Sequence, residues 1–358
     1  MCNGDDMQTE LENRATAPEG DHVTDRLGRP MRDLRLSVID RCNFRCTYCM
    51  PAEEVGPNFP WLGMSEWLSF EEMLRLVRQF ARLGVEKIRL TGGEPLLRAH
   101  LPELVKGLRA IPGIKDLAMT TNGILLSLYA ADLKEAGLDR VTVSLDALDE
   151  TVFRTMNGGF DAPAKVLEGI EAAQAAGFKD IKINTVVRRD INMGELVPIL
   201  TKFRGSDVVV RFIEYMDVGN VNHWESDQVV SSAELIDLIS NQWEIEPVAK
   251  NYSGEVADRY RYADGSGEIG FVSSISQPFC RPCNRSRLSV DGKLFTCLFA
   301  TEGTDLREPV RSGESDEELH DRIAAIWTQR TDQYSQLRWG GKKKKDGDKK
   351  IEMFYIGG

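Results

Sequence analysis

Between residues 33 and 245, short β-rich apolar runs alternate with longer stretches whose apolar positions recur every three to four residues. The runs lie at about 34–39, 85–90, 116–121, 140–145, 181–187 and 208–213. After the first of them, Ser69-Phe-Glu-Glu72 has the capping-box form that opens a helix. Met73, Leu76, Val77 and Phe80 then fall on one face, and Gly84 closes the stretch. Gly137 and Gly177 close later helices, each just ahead of a strand. Six such βα units in succession predict an α/β fold, a parallel sheet with helices outside, which right-handed crossovers curl into a barrel or partial barrel. A doubly wound open sheet is the alternative, because periodicity alone does not decide closure.

The pattern fails at both ends. The first 30 residues are polar and acidic with no periodic apolar face, and read as a disordered extension. Cys2 within it is assigned no ligand role. Beyond about residue 245 come short strands and loops, then a lysine-rich stretch at 340–350 that reads as a solvated linker before the terminal Gly357-Gly358. The chain divides accordingly into 1–30, 31–245, 246–340 and 341–358. Its 358 residues, 42% of them hydrophobic, are enough for one barrel-sized domain or two ordinary ones. With no apolar run long enough to span a bilayer and no apolar N-terminal leader, a soluble cytoplasmic protein is expected. A formal net charge of −11 argues against a nucleic-acid polymer as partner.

The strands themselves carry an anomaly. Parallel strands covered on both faces read as Val/Ile/Leu runs, yet Lys87 and Arg89 share a face of the second strand, and Arg35, Lys182 and Arg211 occupy others. Buried cations are rare unless paired. Pairing with neighbouring carboxylates, or exposure at strand ends, would explain any one of them; five together point to a polyanionic ligand inside the barrel. The second strand also runs directly into Thr91-Gly-Gly-Glu-Pro95, where glycines at a strand end let backbone approach a ligand closely.

The cysteines come as two sets of three. Cys42, Cys46 and Cys49 form C-x3-C-x2-C; Cys280, Cys283 and Cys297 form C-x2-C-x13-C. A structural zinc needs four ligands and a disulfide framework belongs in short secreted chains. An iron–sulfur cubane normally takes four cysteines, so three leave one iron open to another molecule. Arg285 and Arg287 follow Cys283 closely and aim two more cations at the second set.

The first triplet, with Tyr48 before its last cysteine, resembles the cluster loop of the radical S-adenosylmethionine (SAM) enzymes. The resemblance narrows through Arg35, the run Lys87 to Arg98, Thr-Thr-Asn-Gly from Thr120 and Phe-Cys-Arg-Pro-Cys-Asn-Arg-Ser-Arg from Phe279. From about Leu27 to Gly358 the chain is similar to the family of GTP 3',8-cyclases, lyases that begin molybdenum cofactor biosynthesis. That implies a partial (βα)6 TIM-type barrel with a C-terminal auxiliary-cluster region, two 4Fe-4S clusters and S-adenosyl-L-methionine. Cys42, Cys46 and Cys49 would hold the first cluster and Cys280, Cys283 and Cys297 the second. Tyr48, Gly93, Ser144 and Met216 would line the SAM pocket. Arg35, Arg89, Thr120, Lys182, Arg285 and Arg287 match the family's GTP contacts, to which the strand pattern adds Lys87 and Arg211, and Gly357 and Gly358 would reach the same site. Hydrogen would leave C3' of the ribose, the resulting carbon radical would attack C8 of guanine, and the second open iron would bind the base. The implied partners are a small electron donor such as flavodoxin or ferredoxin and, as functional successor, cyclic pyranopterin monophosphate synthase, with a homodimer left open. Two rivals remain: a radical SAM peptide maturase, and a non-enzymatic zinc or nucleic-acid-binding module.

Overall fold

The computed structural model describes residues 22–160, 162–252, 254–337 and 349–357. From Asp33 onward strand and helix alternate. The order is β1 (Asp33–Ser37), α1 (Phe70–Arg82), β2 (Lys87–Thr91), α2 (Leu101–Arg109), β3 (Asp116–Thr121), α3 (Leu126–Glu135) and β4 (Arg140–Ser144). Next come α4 (Glu150–Asn157), α5 (Pro163–Ala175), β5 (Lys182–Val187), α6 (Leu196–Phe203), β6 (Val209–Glu214) and α7 (Ser232–Ser240). The capping box at Ser69 is formed in both directions, its hydroxyl accepting from the Glu72 N–H and the Glu72 carboxylate accepting from the Ser69 N–H. Met73, Leu76, Val77 and Phe80 of α1 are fully buried, each worth about 1.5–3 kcal/mol over exposure.

Strands β1 to β6 pair in chain order, all parallel. This order decides between the two sheets that the periodicity allows. A doubly wound sheet reverses its strand order at a switch point and carries helices on both faces. A monotonic order with right-handed crossovers places every helix on one face. The opposite face stays free of the crossover helices, and its residue pattern shows it. Leu34, Leu36, Ile88 and Leu90 are buried in the helix-side core, while Asp33, Arg35, Lys87 and Arg89 line a common cavity on the other side.

The C-terminal strands β7 (Ile245–Val248), β8 (Asp258–Tyr262), β9 (Glu268–Val272), β10 (Arg285–Leu288), β11 (Lys293–Phe295) and β12 (Thr304–Asp305) extend this sheet at both edges. β9 lies parallel to β6 with β8 and β7 antiparallel beyond it; β10 lies parallel to β1 with β11 and β12 antiparallel beyond. The boundary read at residue 245 therefore falls inside one twelve-stranded sheet. From β10 to β6 would span about 29 Å if the sheet were flat, yet Arg285 and Arg211 line the same cavity. The sheet is strongly curled, and because β12 and β7 end it without meeting, the barrel is partial. Helices α8 (Arg307–Arg311) and α9 (Asp316–Thr328) follow, with short turns α10 (Tyr334–Leu337) and α11 (Met353–Ile356).

Of the extension read as disordered to residue 30, residues 1–21 lie outside the described residues and 22–30 are ordered. Met31, Asp25 and Arg29 are buried, Asp25 and Arg29 pair at 2.6 Å, and the buried Trp327 of α9 donates its indole N–H to the Arg29 carbonyl. No periodic pattern marks these residues because they form a strap without regular structure, held by side chains some 300 positions away. Cys2, most of the lysine-rich linker and Gly358 lie outside the described residues. No helix among the described residues is long and apolar enough to cross a membrane.

Candidate active site

The two cysteine triplets stand at opposite ends of the concave face. β1 runs toward the loop that carries Cys42, Cys46 and Cys49. β10, parallel to β1, is entered from Cys280 and Cys283, and β11, antiparallel to β10, exits toward Cys297. Between the two ends lies at least the length of β1, about 13 Å at strand rise. All six cysteines line one cavity of about 370 Å³.

At the first end, Thr91-Gly-Gly-Glu zips onto the limb that leads to Cys42. The Gly93 N–H donates to the Ile39 carbonyl and the Glu94 N–H to the Arg41 carbonyl, both at 2.8 Å. A Cβ on Gly92 would lie 2.4 Å from the Ile39 oxygen, and one on Gly93 2.1 Å from the Arg41 oxygen. These glycines thus admit the backbone of the cysteine loop itself, and Gly93 lines the cavity besides. The buried Glu94 carboxylate accepts from Thr121 Oγ1 and from the N–H groups of Leu96 and Asn122. Asn122 in turn faces Cys42 Sγ at 3.9 Å. Burial above all pushes the Cys42 thiol up to about 12, and burial together with neighbouring acidic groups and thiols raises Cys46 and Cys49 well above the ordinary value.

Half-buried sulfurs whose thiol form burial favours, with Arg45 reaching the Cys42 carbonyl at 2.8 Å and not its sulfur, suit a metal cluster, which replaces their protons and carries the positive charge. Among the described residues no set of three or more His, Cys, Asp or Glu side chains converges on one point as the ligands of a single ion do. A cubane instead spreads its thiolates over separate irons. At the second end the electrostatics differ. Burial would raise Cys283, but the guanidiniums of Arg285 and Arg330, each 3.3 Å from its sulfur, hold it at about 6. Cys297, without such a donor contact, is pushed up to about 11 by burial.

Basic side chains fill the space between. Arg287, Arg35 and Arg89 occupy one register level on β10, β1 and β2, three guanidiniums abreast. The level two residues earlier reads Arg285, Asp33, Lys87, Asp116, alternating in sign. Lys87 lies 3.7 Å from each of those carboxylates and donates to the Tyr252 hydroxyl. The first level has no carboxylate in register. Burial and the facing Arg287 push Arg35 well below the ordinary arginine value. Burial and like charges also lower Arg287 to about 10, Arg211 to about 9 and Lys182 to about 8. Such shifts mean that positive charge is held out of water and, secondarily, beside its like, a state an anion would relieve. Arg89 donates to both Thr120 Oγ1 and Thr142 Oγ1 at 3.1 Å, so Thr120 positions a cation. Arg211 is held by Asn184 Oδ1.

The chain's C-terminal segment closes onto this arrangement. Phe354 and Ile356 of α11 are buried, and the Gly357 carbonyl accepts from Arg287. Gly357 has φ 75°, and a Cβ there would meet Thr91 Oγ1. Tyr48, Ser144 and Met216 line the cavity near the first triplet's strand ends. Sequence reasoning missed Asp146, which anchors the Tyr48 hydroxyl at 2.8 Å and accepts from the Val186 N–H. It also missed Glu94, Asn122 and Arg330; Glu94 and Asn122 stand at strand ends in Thr91-Gly-Gly-Glu-Pro95 and Thr-Thr-Asn-Gly, and Asp146 two residues after Ser144, whereas nothing local marks Arg330.

Burial raises Asp146 to about 6 against hydrogen bonds from Tyr48 and Val186 that lower it. A carboxyl whose folded pKa is raised contributes stability below its unfolded value, near 3.8, and loses it as pH rises through 6. Asp146→Asn, which keeps both contacts, is expected to flatten this dependence. Between pH 4 and 7 the wild-type apoprotein should lose on the order of 3 kcal/mol relative to the variant, read from denaturant titrations at each pH; parallel curves would refute the assignment.

A partial barrel whose first strand feeds a three-cysteine loop, with a glycine turn from the next strand zipped against it, defines a radical SAM enzyme. Residues 36–203 match the Radical SAM superfamily, and residues 208–336 match Molybdenum Cofactor Synthesis C. SuiB of Streptococcus suis, solved bound to S-adenosylmethionine, shares the fold with a TM-score of 0.58 at 14% identity, over 86% of this chain and 71% of that one. The chain is 52% identical over 336 residues to the GTP 3',8-cyclase of Xanthomonas campestris pv. campestris (strain 8004), covering 94% of this chain and 97% of the relative. It is 51% identical to that of Acidothermus cellulolyticus, over 94% and 99%. The chain belongs to the GTP 3',8-cyclase family. Membership sets aside the peptide-maturase and zinc-module readings and brings with it a 4Fe-4S cluster and S-adenosylmethionine, for which the first triplet has the donor set.

Proposed function

We propose that the protein converts GTP to (8S)-3',8-cyclo-7,8-dihydroguanosine 5'-triphosphate, the first step of molybdenum cofactor biosynthesis, and that the two ends of the cavity divide the work. When bound, the first cluster with SAM would supply the radical chemistry needed to remove hydrogen at C3' of the ribose, and the second would offer an open iron for the guanine base. The chain's own residues orient and shield. Cys42, Cys46 and Cys49 hold the first cluster, and Cys280, Cys283 and Cys297 the second. Tyr48, fixed by Asp146, lines the SAM pocket with Gly93, Ser144 and Met216. Arg35, Arg89, Lys182, Arg211, Arg285 and Arg287 face the substrate, with Thr120 steering Arg89. Lys87, whose charge Asp33 and Asp116 already offset, contributes less. Gly357 closes the site behind Arg287, and Gly358, outside the described residues, would reach the same site as the family resemblance implies.

The observation that carries this reading is the row of three guanidiniums between two triads of thiols. A triphosphate brings about four negative charges near neutral pH, and guanidinium forks match its oxygens bidentately. Electrons would come from a small donor such as flavodoxin or ferredoxin, and the product would pass to cyclic pyranopterin monophosphate synthase. Anaerobic turnover with GTP, SAM and a reductant should yield 5'-deoxyadenosine together with a cyclised nucleotide. The reconstituted chain should hold about eight irons; zinc with no iron would sink the proposal.

A further inference from the structure

The second triplet is braced from behind by a buried charge network that no part of the substrate cavity touches. Arg330, just after α9, is 4% exposed, and the cavity is lined by Arg285 but not by Arg330. Its guanidinium donates to Cys283 Sγ at 3.3 Å and to the Cys283 carbonyl at 2.8 Å, and stacks over Trp327 at 4.5 Å. Asp25 of the N-terminal strap faces it at 3.3 Å and also takes Arg29 Nε at 2.6 Å. Arg29 donates onward to the carbonyls of Cys280 and Asp332 at 2.9 and 2.8 Å. One carboxylate thus holds two guanidiniums, and between them these reach two of the three cysteines. Asp25 and Arg29 precede residue 36, where the first family match begins.

We infer that Asp25, Arg29 and Arg330 are positioning residues for the auxiliary cluster, and that Arg330 sets its reduction potential through the Cys283 sulfur. The inference rests on the second triplet holding a cluster as proposed above. Hydrogen bonds to ligand sulfurs are among the determinants of an iron–sulfur potential, and a cationic donor favours the more negative, reduced state. Removing it lowers the potential. The asymmetry is specific: among the described residues Cys283 alone receives a guanidinium from the cavity side, Arg285, and a second from the protein side. Arg285 faces the proposed substrate site, so its loss would mix binding with redox effects, whereas Arg330 offers the sulfur contact without the cavity. Asp25, together with the Asp332 carboxylate 3.4 Å from Arg330 Nε, supplies the counter-charge that lets two arginines remain buried beside the cluster.

The test is an anaerobic redox titration of the reconstituted full chain, following the two clusters by their separate electron paramagnetic resonance signals, in wild type, Arg330→Gln, Arg330→Lys and Asp25→Asn. Arg330→Gln should shift the second cluster's reduced-to-oxidised ratio about tenfold toward oxidised at fixed potential, about 59 mV for one electron. Arg330→Lys should recover part of the shift, and Asp25→Asn should move it in the same direction as the cradle loosens. The first cluster's midpoint should stay in place in all of them, which a general loss of folding would not allow. Eight irons with both midpoints unmoved in Arg330→Gln and Arg330→Lys would overturn the inference while leaving the proposed function standing. Only four irons in the wild type would remove the second cluster itself, and the inference with it.

Discussion

Alanine at Cys42, Cys46 or Cys49 is expected to abolish reductive cleavage of SAM, whereas alanine at Cys280, Cys283 or Cys297 should leave uncoupled cleavage measurable and eliminate the cyclised nucleotide. The loss in the first group should exceed the roughly 10–100-fold that removing a supporting contact costs a metal site, because under the proposal a ligand itself would be gone. The division follows from geometry: the two triplets lie at opposite ends of the strands, and only the first adjoins the glycine turn and Tyr48. Quantifying 5'-deoxyadenosine and nucleotide product separately, with iron content measured for each variant, checks it. Equal loss of 5'-deoxyadenosine in both groups would mean that the ends do not act independently.

Arg285→Ala or Arg287→Ala should weaken GTP binding by about 10- to 100-fold, the scale of a charge-assisted hydrogen bond of about 1.5–3 kcal/mol, while SAM affinity changes far less. Arg287 carries a second duty through the Gly357 carbonyl, so its loss should also free the tail, seen as faster hydrogen exchange at residues 353–357. Lysine at 287 should restore charge but not the fork geometry, and so recover only part of the GTP affinity. Equilibrium dialysis of the reconstituted protein with each ligand separates the two affinities; GTP binding that stays at the wild-type level would remove both arginines from the substrate site.

Local chemistry made much of this legible in the chain. The capping box at Ser69 and its apolar face are satisfied within four turns of helix, so sequence suffices to place α1. The six central strands fall within a residue or two of the apolar runs because each is bounded by its own turn signals. Lys87 and Arg89 on alternate positions of one strand announced a polar inner face, which the cavity bears out. The strap at 22–31 was not legible, since Asp25 and Arg29 look like solvated charges until Arg330 and Trp327 arrive from the far end of the chain. Nor was the continuation of the sheet by β9 and β10, for an edge pairing depends on which strand is left open, not on the strand's own residues.

The sequence by itself determined the βα repeat, the number of thiols in each set and the presence of cations on the strands, because spacing, capping and side-chain alternation act over a few residues. Only the tertiary structure decided that the strand order is monotonic and hence that one face lies open. It alone placed the two triplets at opposite ends of that face, set three guanidiniums abreast between them, and gave Gly92 and Gly93 the task of admitting the cysteine loop. Each of these depends on segments tens to hundreds of residues apart meeting at fixed register, which parallel pairing and burial impose and no local pattern records.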